Sequence, residues 1–146
     1  MELTLSLMTQ DDIDGVLEVS SLSLKESWSK KAYLDELKNP VAKYIIAKKS
    51  NKVVGFLGVW SIIDEGHITN IAVHPEYRHQ HIGSELITYL IEHSPSWGID
   101  SLTLEVRTSN IIAQSLYKKY NFYEEGIRKA YYNDNKEDAI IMWRKN

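Results

Sequence analysis

Two different spacings of hydrophobic residues along this chain predict where its strands and helices lie. Apolar and polar residues alternate over Leu3–Leu7 and Ser101–Arg107, which is typical of strands with one buried face. Ile82, Leu86 and Leu90 recur every four residues, which aligns them on one face of a helix. The chain therefore combines strands and helices.

Taken in order, the patterns predict a strand, two helices, three strands, a helix, a strand, a helix and two strands. The first helix follows a cap at Thr9 or Asp11 and frays near residues 20–23. The second runs from Ser29 to Lys38. The remaining elements are strands at 44–47, 53–63, 68–73, 123–132 and 139–144, and a last helix from a cap at Ser109 or Asn110 to a stop at Asn121. This order predicts an α/β domain around a mixed sheet.

The stretch from Ile68 to Leu90 joins a buried strand, a short basic turn and a helix. Pro75 ends the ladder of backbone hydrogen bonds because it has no amide hydrogen. The turn at residues 78–81 carries basic side chains beside a helix start, where amides lack partners and the helix dipole is positive. This combination predicts an anion site, best suited to a phosphate. A solvated loop with a helix-packing glycine, Gly83, is the alternative.

Length and composition predict the broad class of the protein. A chain of 146 residues with 43% hydrophobic and 25% charged side chains is expected to form one domain over residues 1–146. No apolar run approaches the roughly 20 residues of a membrane span, and the amino-terminal segment lacks the basic start and apolar block of a signal peptide. A cytoplasmic protein without membrane contact is expected. The absence of cysteine excludes disulfides, thiolate metal sites and a cysteine nucleophile.

Charge and missing motifs narrow the class of ligand. A formal net charge of -3 argues against bulk electrostatic binding to nucleic acid and suits a basic substrate better. The sequence has neither GxxxxGK(S/T) nor a GxGxxG after its first strand, so the common nucleotide motifs are absent. His79 and His81 lack a carboxylate or cysteine partner at a matching spacing, and no metal is expected.

Three polar residues after the central stretch bear on possible chemistry. Glu105 is either a solvent-exposed carboxylate or, if its strand face lines a cleft, a proton acceptor acting directly or through a water. Tyr117 is either a core aromatic or a proton donor to a departing thiolate, given reference pKa values of about 10 and about 8.5. Asn110 is expected to be an N-cap in preference to a ligand contact.

Trp28 is an isolated aromatic residue in the otherwise polar segment SLKESWS, residues 23–29. Such a residue either fills a gap in the core or forms part of a substrate-binding wall. The sequence leaves both alternatives open.

These residues bring the chain close to a known family. The basic turn resembles the Q/R-x-x-G-x-G/A signature with which the GNAT (Gcn5-related) N-acetyltransferases bind acetyl-CoA, with Arg78 in the first place and Gly83 in the last. The segments HITNIAVHPEYR, LEVRTSNIIAQSLYKKYNF and EDAIIM, and SWS at Ser27–Ser29, resemble the RimI-type members. The resemblance spans nearly the whole chain. It implies the GNAT fold, a mixed and mostly antiparallel sheet of about seven strands flanked by about four helices.

The resemblance also implies roles for individual residues. In the family, the strand before the turn pairs with the pantetheine arm of acetyl-CoA, and the amides of the turn hold its pyrophosphate. The implied cofactor-binding residues are Ile71, Ala72, Val73, Arg78, His79, Gln80, His81, Ile82, Gly83, Ser84, Asn110 and Tyr117. Glu105 and Tyr117 match the base and the acid of RimI-type enzymes. The candidate substrate-binding residues are Trp28, Glu105, Tyr131 and Tyr132.

RimI-type enzymes acetylate the N-terminal alanine of a small-subunit ribosomal protein. The resemblance implies this reaction here, with acetyl-CoA as co-substrate, no metal, and no direct contact with nucleic acid. The absence of cysteine fits direct attack of the amine on the thioester in a ternary complex. Two alternatives stay open: a GNAT enzyme for another amine, such as a lysine, a polyamine or a small metabolite, and a module that binds acetyl-CoA without turnover.

Two positions depart from the family pattern. His81 stands in place of the first glycine of the signature. Its β-carbon is expected to crowd the ligand, although a helical backbone would tolerate it, and its imidazolium offers an additional contact. Weaker but intact binding of acetyl-CoA is the prediction. Asn121 replaces the usual glycine of a GF pair, which is conservative because asparagine tolerates the left-handed conformation.

Overall fold

The computed structural model describes residues 2–24 and 27–146, so the first residue and the middle of the predicted segment 23–29 lie outside the described residues. Within them, one sheet contains seven strands: β1 (Leu3–Leu7), β2 (Ala42–Lys49), β3 (Lys52–Ile62), β4 (Glu65–Val73), β5 (Ser101–Arg107), β6 (Tyr123–Arg128) and β7 (Ala139–Lys145). The same residues form four α-helices: α1 (Ile13–Ser23), α2 (Lys30–Lys38), α3 (Ile82–His93) and α4 (Ile111–Lys119). The predicted order of elements is confirmed.

The sheet is mixed and mostly antiparallel, as the resemblance implied. Its strand order is β1-β2-β3-β4-β5-β7-β6, and β4 and β5 run parallel to each other. Every other neighbouring pair among the described strands is antiparallel. Alternate residues of β2 belong to two different hydrophobic clusters, Ile45 with residues of α3 and Ile46 with residues of α1. Helices therefore cover both faces of the sheet.

The two parallel strands are paired at their beginning and then separate. Their register runs from Glu65–His67 against Ser101–Thr103 and ends there. On its other edge β4 skips a residue in its register with β3, so that Thr69 has no opposite residue. Such a bulge bends a strand and increases its local twist. The backbone edge of β4 beyond His67 therefore faces a gap instead of β5.

Two predicted boundaries are wrong by three or four residues. The strand predicted from residue 68 begins at Glu65, because Glu65 and Gly66 already pair with both neighbouring strands. The strand predicted over 123–132 ends at Arg128. There the carboxylate of Asp138 accepts the amide of Ala130 at 2.8 Å and turns the chain away from the sheet. Tyr131 and Tyr132 consequently lie in a loop.

The end of α1 is fixed to the sheet, so the predicted fraying is wrong. The Ser23 hydroxyl donates to the Val73 carbonyl at 2.9 Å. The buried Ser20 hydroxyl shares a hydrogen bond of 2.8 Å with the Tyr33 hydroxyl. This end of α1 therefore stays beside β4, where the two parallel strands separate.

The ends of α4 follow the predictions. The side chain of Asn110 accepts the amide of Ala113 at 3.1 Å, which confirms the N-cap. Asn121 has a φ of 70°, the left-handed conformation expected of a residue that replaces glycine after a helix. No helix in residues 2–24 and 27–146 is long and apolar enough to cross a membrane.

Candidate active site

A cleft of about 970 Å³ opens where β4 and β5 separate. Its walls come from both strands, the beginning of α4, the end of α1 and the loop between β6 and β7. The predicted site residues that line it are Trp28, Ile71, Glu105, Asn110, Tyr117, Tyr131 and Tyr132. Candidate base, acid and substrate-binding residues thus face one space, although they come from distant parts of the sequence.

The other predicted cofactor residues lie beside this cleft, at the end of β4 and in the turn and helix start that follow: Ala72, Val73, Arg78, His79, Gln80, His81, Ile82, Gly83 and Ser84. Two of them point into the core, since the side chains of Ala72 and Ile82 are 5% and 2% exposed. These two residues can reach a ligand only through their backbone.

The start of α3 presents backbone amides to a ligand. The amide of Glu85 donates the first hydrogen bond between successive turns of this helix, to the His81 carbonyl at 3.0 Å. The amides of residues 82–84 precede that bond and have no carbonyl one turn back to bind. Gly83 has room for a side chain on this turn, because an added β-carbon would lie 3.4 Å from Leu116, which is ordinary van der Waals contact. The geometry suits the phosphate predicted from the sequence.

His81 corrects the expectation that a helical backbone would tolerate its side chain. It precedes α3 with a φ of 63° and a ψ of 21°, which is the left-handed conformation. A β-carbon is strained there and glycine is not, which explains physically why the signature has glycine at this place. The neighbouring His79 is also left-handed, with a φ of 64°.

We expect His81→Gly to raise the free energy of unfolding by up to about 1 kcal/mol, because glycine relieves the left-handed strain. Acetyl-CoA affinity should stay the same or increase. Thermal unfolding and calorimetric titration measure the two effects, with His81→Ala as the matched control, since alanine removes the imidazole but keeps the β-carbon. A large loss of affinity in both variants would mean that the imidazole itself contacts the coenzyme.

Glu105 lies on the cleft face of β5, and a quarter of its side chain is exposed. The Nε of Arg128 lies 3.8 Å from Oε2 of its carboxylate. This separation is too long for a hydrogen bond. The carboxylate is therefore partly shielded from water and placed in the cleft without a tight ion pair, as a base requires.

Tyr117 is 4% exposed, and the exposed part faces the cleft. Its ring packs on Phe122 with 5.6 Å between centroids. Tyr117 is therefore a core aromatic that also borders the cleft, and its role as a proton donor stays a prediction. Burial, with a smaller contribution from Tyr132, raises the pKa of Tyr117 above its ordinary value of 10.0. The hydroxyl therefore keeps its proton at neutral pH, and the raised pKa makes Tyr117 a weaker acid than its ordinary pKa implies.

Trp28 packs on the core and also borders the cleft, and its contact with a substrate stays a prediction. Its ring stacks on buried Tyr33 with 5.5 Å between centroids, and it also lines the cleft. A second tryptophan, Trp60, lines the same wall and donates its indole N–H to the buried carboxylate of Glu36 at 2.8 Å. This side of the cleft is therefore aromatic, and both tryptophans are fixed by buried residues of α2.

Several cleft residues were not singled out in the sequence, among them Trp60, His67, Asn70 and Arg107. Arg107 was recognisable, because strand alternation puts it on the same face as Glu105. His67 and Asn70 were not, because the bulge between them breaks the alternation of β4. His67 Nε2 lies 3.1 Å from a carboxylate oxygen of Glu65.

Glu137 ties the loop between β6 and β7 to the start of α4. It accepts the Ser109 amide at 2.6 Å and the Thr108 hydroxyl at 3.1 Å. Hydrogen bonds from Ser109, and then from Thr108 and Arg107, lower the pKa of Glu137 to about 2, against an ordinary value of 4.5. The ionised carboxylate thus holds together the loop that carries two cleft tyrosines.

The lowered pKa of Glu137 predicts how acid affects stability. A carboxylate whose pKa is lower in the folded state stabilises the fold above its unfolded pKa, and this contribution is lost as pH falls through the folded pKa. The loss from Glu137 should therefore occur between pH 4.5 and pH 2. As pH falls through this interval, the melting temperature of Glu137→Gln should fall less steeply than that of the wild type. An equal dependence of melting temperature on pH in both proteins would refute the lowered pKa of Glu137.

Comparison with known proteins supports the likeness seen in the sequence. The profile of the acetyltransferase (GNAT) family matches residues 13–122. A relative from Bacillus subtilis (strain 168) is 44% identical over 137 residues, covering 93% of this chain and 91% of the relative. The name of that relative gives ribosomal protein bS18-alanine N-acetyltransferase as a provisional activity.

Two further comparisons come from Escherichia coli. The ribosomal protein bS18-alanine N-acetyltransferase of strain K12 is 32% identical over 141 residues, which cover 95% of each chain. The crystal structure of the ribosomal-protein-S18-alanine N-acetyltransferase from Escherichia coli matches the fold with a TM-score of 0.91 and 31% identity. That match covers 99% of this chain and 94% of the other.

Proposed function

Because the chain belongs to the GNAT acetyltransferase family, whose enzymes transfer acetyl from acetyl-CoA to an amine, we propose that its acceptor is the N-terminal alanine of a ribosomal protein. The names of its bacterial relatives support this acceptor. The observation that carries the proposal is structural: Glu105 and Tyr117 face one cleft at the point where β4 leaves β5.

The chain offers a fitting place for acetyl-CoA. The edge of β4 beyond His67 is not paired with β5, so its backbone groups can pair with an extended arm. The amides at the start of α3 suit the pyrophosphate. The Val73 carbonyl already accepts the Ser23 hydroxyl, so the residues before it are better placed to pair with the arm.

In the proposed reaction, acetyl-CoA supplies a thioester whose carbonyl carbon is attacked by the neutral amine. Glu105 accepts the proton that the amine loses, directly or through a water. Tyr117 donates its hydroxyl proton to the sulfur as the carbon–sulfur bond breaks. Transfer is direct, so no covalent acyl-enzyme forms.

The pKa values of the two kinds of amine favour an N-terminal amine over a lysine as the acceptor. The pKa of an α-amine is near 8 and that of a lysine near 10.4, so presenting the α-amine in its neutral form at pH 7 costs about 3 kcal/mol less. A carboxylate acting through water is adequate for the first amine and a weak base for the second. This comparison supports the N-terminal acceptor within the proposal.

The experiment that tests the proposal measures acetyl-CoA consumption with three acceptors and in a control without acceptor. The acceptors are a basic peptide that begins with alanine, the same peptide blocked at its amino terminus but containing lysine, and a polyamine. Turnover of the free alanine peptide alone is expected. Turnover of the blocked peptide or the polyamine would favour an enzyme for another amine, and binding without turnover would favour a coenzyme-binding module.

Metal and location are secondary parts of the proposal. Among residues 2–24 and 27–146, no group of three or more His, Cys, Asp and Glu side chains is arranged to hold a metal ion. The proposed steps use only side chains and backbone groups of this chain. We place the reaction in the cytoplasm, where ribosomal proteins are made, without direct contact with nucleic acid.

A further inference from the structure

Arg107 makes contacts in the cleft wall that the proposed reaction does not use. It follows Glu105 by two residues on the same face of β5, and 15% of its side chain is exposed. Its guanidinium makes two parallel hydrogen bonds to the carboxylate of Asp134, both 3.1 Å long. It also lies 3.4 Å from a carboxylate oxygen of Glu137. The strand that carries the proposed base thus holds the loop between β6 and β7, residues 129–138.

The same guanidinium supports two tyrosines of the cleft. It stacks over the ring of Tyr132 at 3.9 Å from the ring centroid. Tyr132 in turn packs edge-on against Tyr131, with 5.1 Å between ring centroids. Burial raises the pKa of Tyr132 to about 12 although the Arg107 cation opposes this shift, which is consistent with a well-packed ring. Since β6 ends at Arg128, the strand ladder does not fix these rings.

The backbone around Arg107 is held by other groups. The side-chain amide of Gln114 donates to the carbonyls of Arg107 and Thr108, both at 3.0 Å. The cap of α4 at Asn110 also uses no atom of the guanidinium. A change confined to the Arg107 side chain should therefore loosen the loop without moving the turn that leads into α4.

We propose that Arg107 is a positioning residue that fixes the Tyr131–Tyr132 wall for the acceptor. The proposal rests on the proposed function only in that an acceptor amine binds in this cleft. Without the Arg107 guanidinium, the carboxylates of Asp134 and Glu137 lose the cation that they share, and the ring of Tyr132 loses its stacking partner. Glu137 still binds Ser109 and Thr108, but the part of the loop around Asp134 and Tyr132 must then be ordered as the acceptor binds. This weakens acceptor binding and leaves acetyl-CoA binding and the chemical step nearly unchanged.

The test compares Arg107→Lys, Asp134→Asn and the double variant with the wild type. Lysine keeps the charge near Glu105 but cannot form the bidentate and stacked contacts. We expect KM for the acceptor to rise roughly tenfold in each single variant, with kcat and KM for acetyl-CoA within about twofold of the wild type. The double variant should be no worse than Arg107→Lys, because Asp134→Asn removes a contact that the lysine variant has already lost.

Arg144→Lys is the matched control, since Arg144 is held by a 2.8 Å bond to the Tyr120 carbonyl and lies outside the cleft. It should leave the acceptor KM unchanged. Kinetics are measured with whichever acceptor is turned over, so an acceptor other than alanine would overturn the proposed function but not this proposal. Amide hydrogen exchange of residues 129–138 provides a readout that needs no acceptor. It should accelerate in Arg107→Lys while that of α3 stays constant.

Three results would each overturn the proposal. An unchanged acceptor KM would show that the wall does not depend on Arg107. Equal losses in acceptor KM, acetyl-CoA KM and melting temperature would show a general structural role. Unchanged exchange of the loop in Arg107→Lys would show that the contacts do not order it.

Discussion

Glu105→Gln should reduce kcat by roughly 100-fold or more at pH 7, because the amide cannot accept the proton that the attacking amine loses. The loss should shrink above about pH 8, where a growing fraction of the α-amine is already neutral. Rates measured from pH 6 to pH 9.5 with saturating acetyl-CoA reveal this dependence. The side chain keeps its size in the variant, so its place in the cleft wall should not change.

Glu92→Gln is the control for this experiment, because Glu92 is an exposed glutamate on α3, away from the cleft. It should retain wild-type rates at every pH. If Glu105→Gln reduces the rate by the same factor across the whole pH range, the carboxylate does not act as the base. An unchanged rate would lead to the same conclusion and would direct attention to His67, which shares the cleft.

Tyr117→Phe should lower kcat by roughly 10- to 100-fold and leave acetyl-CoA affinity within about threefold of the wild-type value. The departing thiolate loses its proton donor, whereas the ring that packs on Phe122 remains. Because burial keeps the Tyr117 hydroxyl protonated, the loss should be nearly independent of pH between 6 and 9. Steady-state rates and calorimetric titration with acetyl-CoA separate the two effects.

Tyr89→Phe serves as the control for the tyrosine experiment, because Tyr89 stacks on His93 of α3 and does not line the cleft. Its activity should equal that of the wild type. Full activity of Tyr117→Phe would make the tyrosine a packing residue. A parallel loss of coenzyme affinity would mean that the hydroxyl holds the ligand instead of donating a proton.

The two proposed catalytic residues could be found from the sequence because their signals are local. Alternation of apolar and polar residues predicts β5 with the bounds that the structure has, and this alternation puts Glu105 on the polar face. Tyr117 follows from the spacing of α4 and from the family resemblance. Which residues face each other across the cleft depends on the register between β4 and β5, which is a long-range property.

The end of β6 and the backbone conformation of His81 could not be predicted from the sequence. Polar and apolar residues are mixed along the whole predicted strand 123–132, and the hydrogen bond from the Ala130 amide to the Asp138 carboxylate ends the strand at Arg128. The left-handed backbone of His81 has no signature in the residue itself. The family signature did mark the position, and the structure supplies the physical reason.

The aromatic walls were predicted in part. The sequence marks Trp28, Tyr131 and Tyr132 as candidates, whereas Trp60 lies within a long apolar run that gives no sign of a site. Its place in the cleft results from its pairing with His67 of β4 and from its bond to Glu36 of α2. Contacts between elements far apart in the chain are outside the reach of periodicity.

The most direct test of the account uses one peptide that carries both kinds of amine. A basic peptide beginning with alanine and containing an internal lysine is incubated with the protein and acetyl-CoA, and fragment-ion mass spectrometry locates the acetyl group. We predict a single acetyl group on the α-amine of the alanine, which disappears in Glu105→Gln at pH 7. An acetyl group on the lysine, or no acetylation at all, would contradict the account.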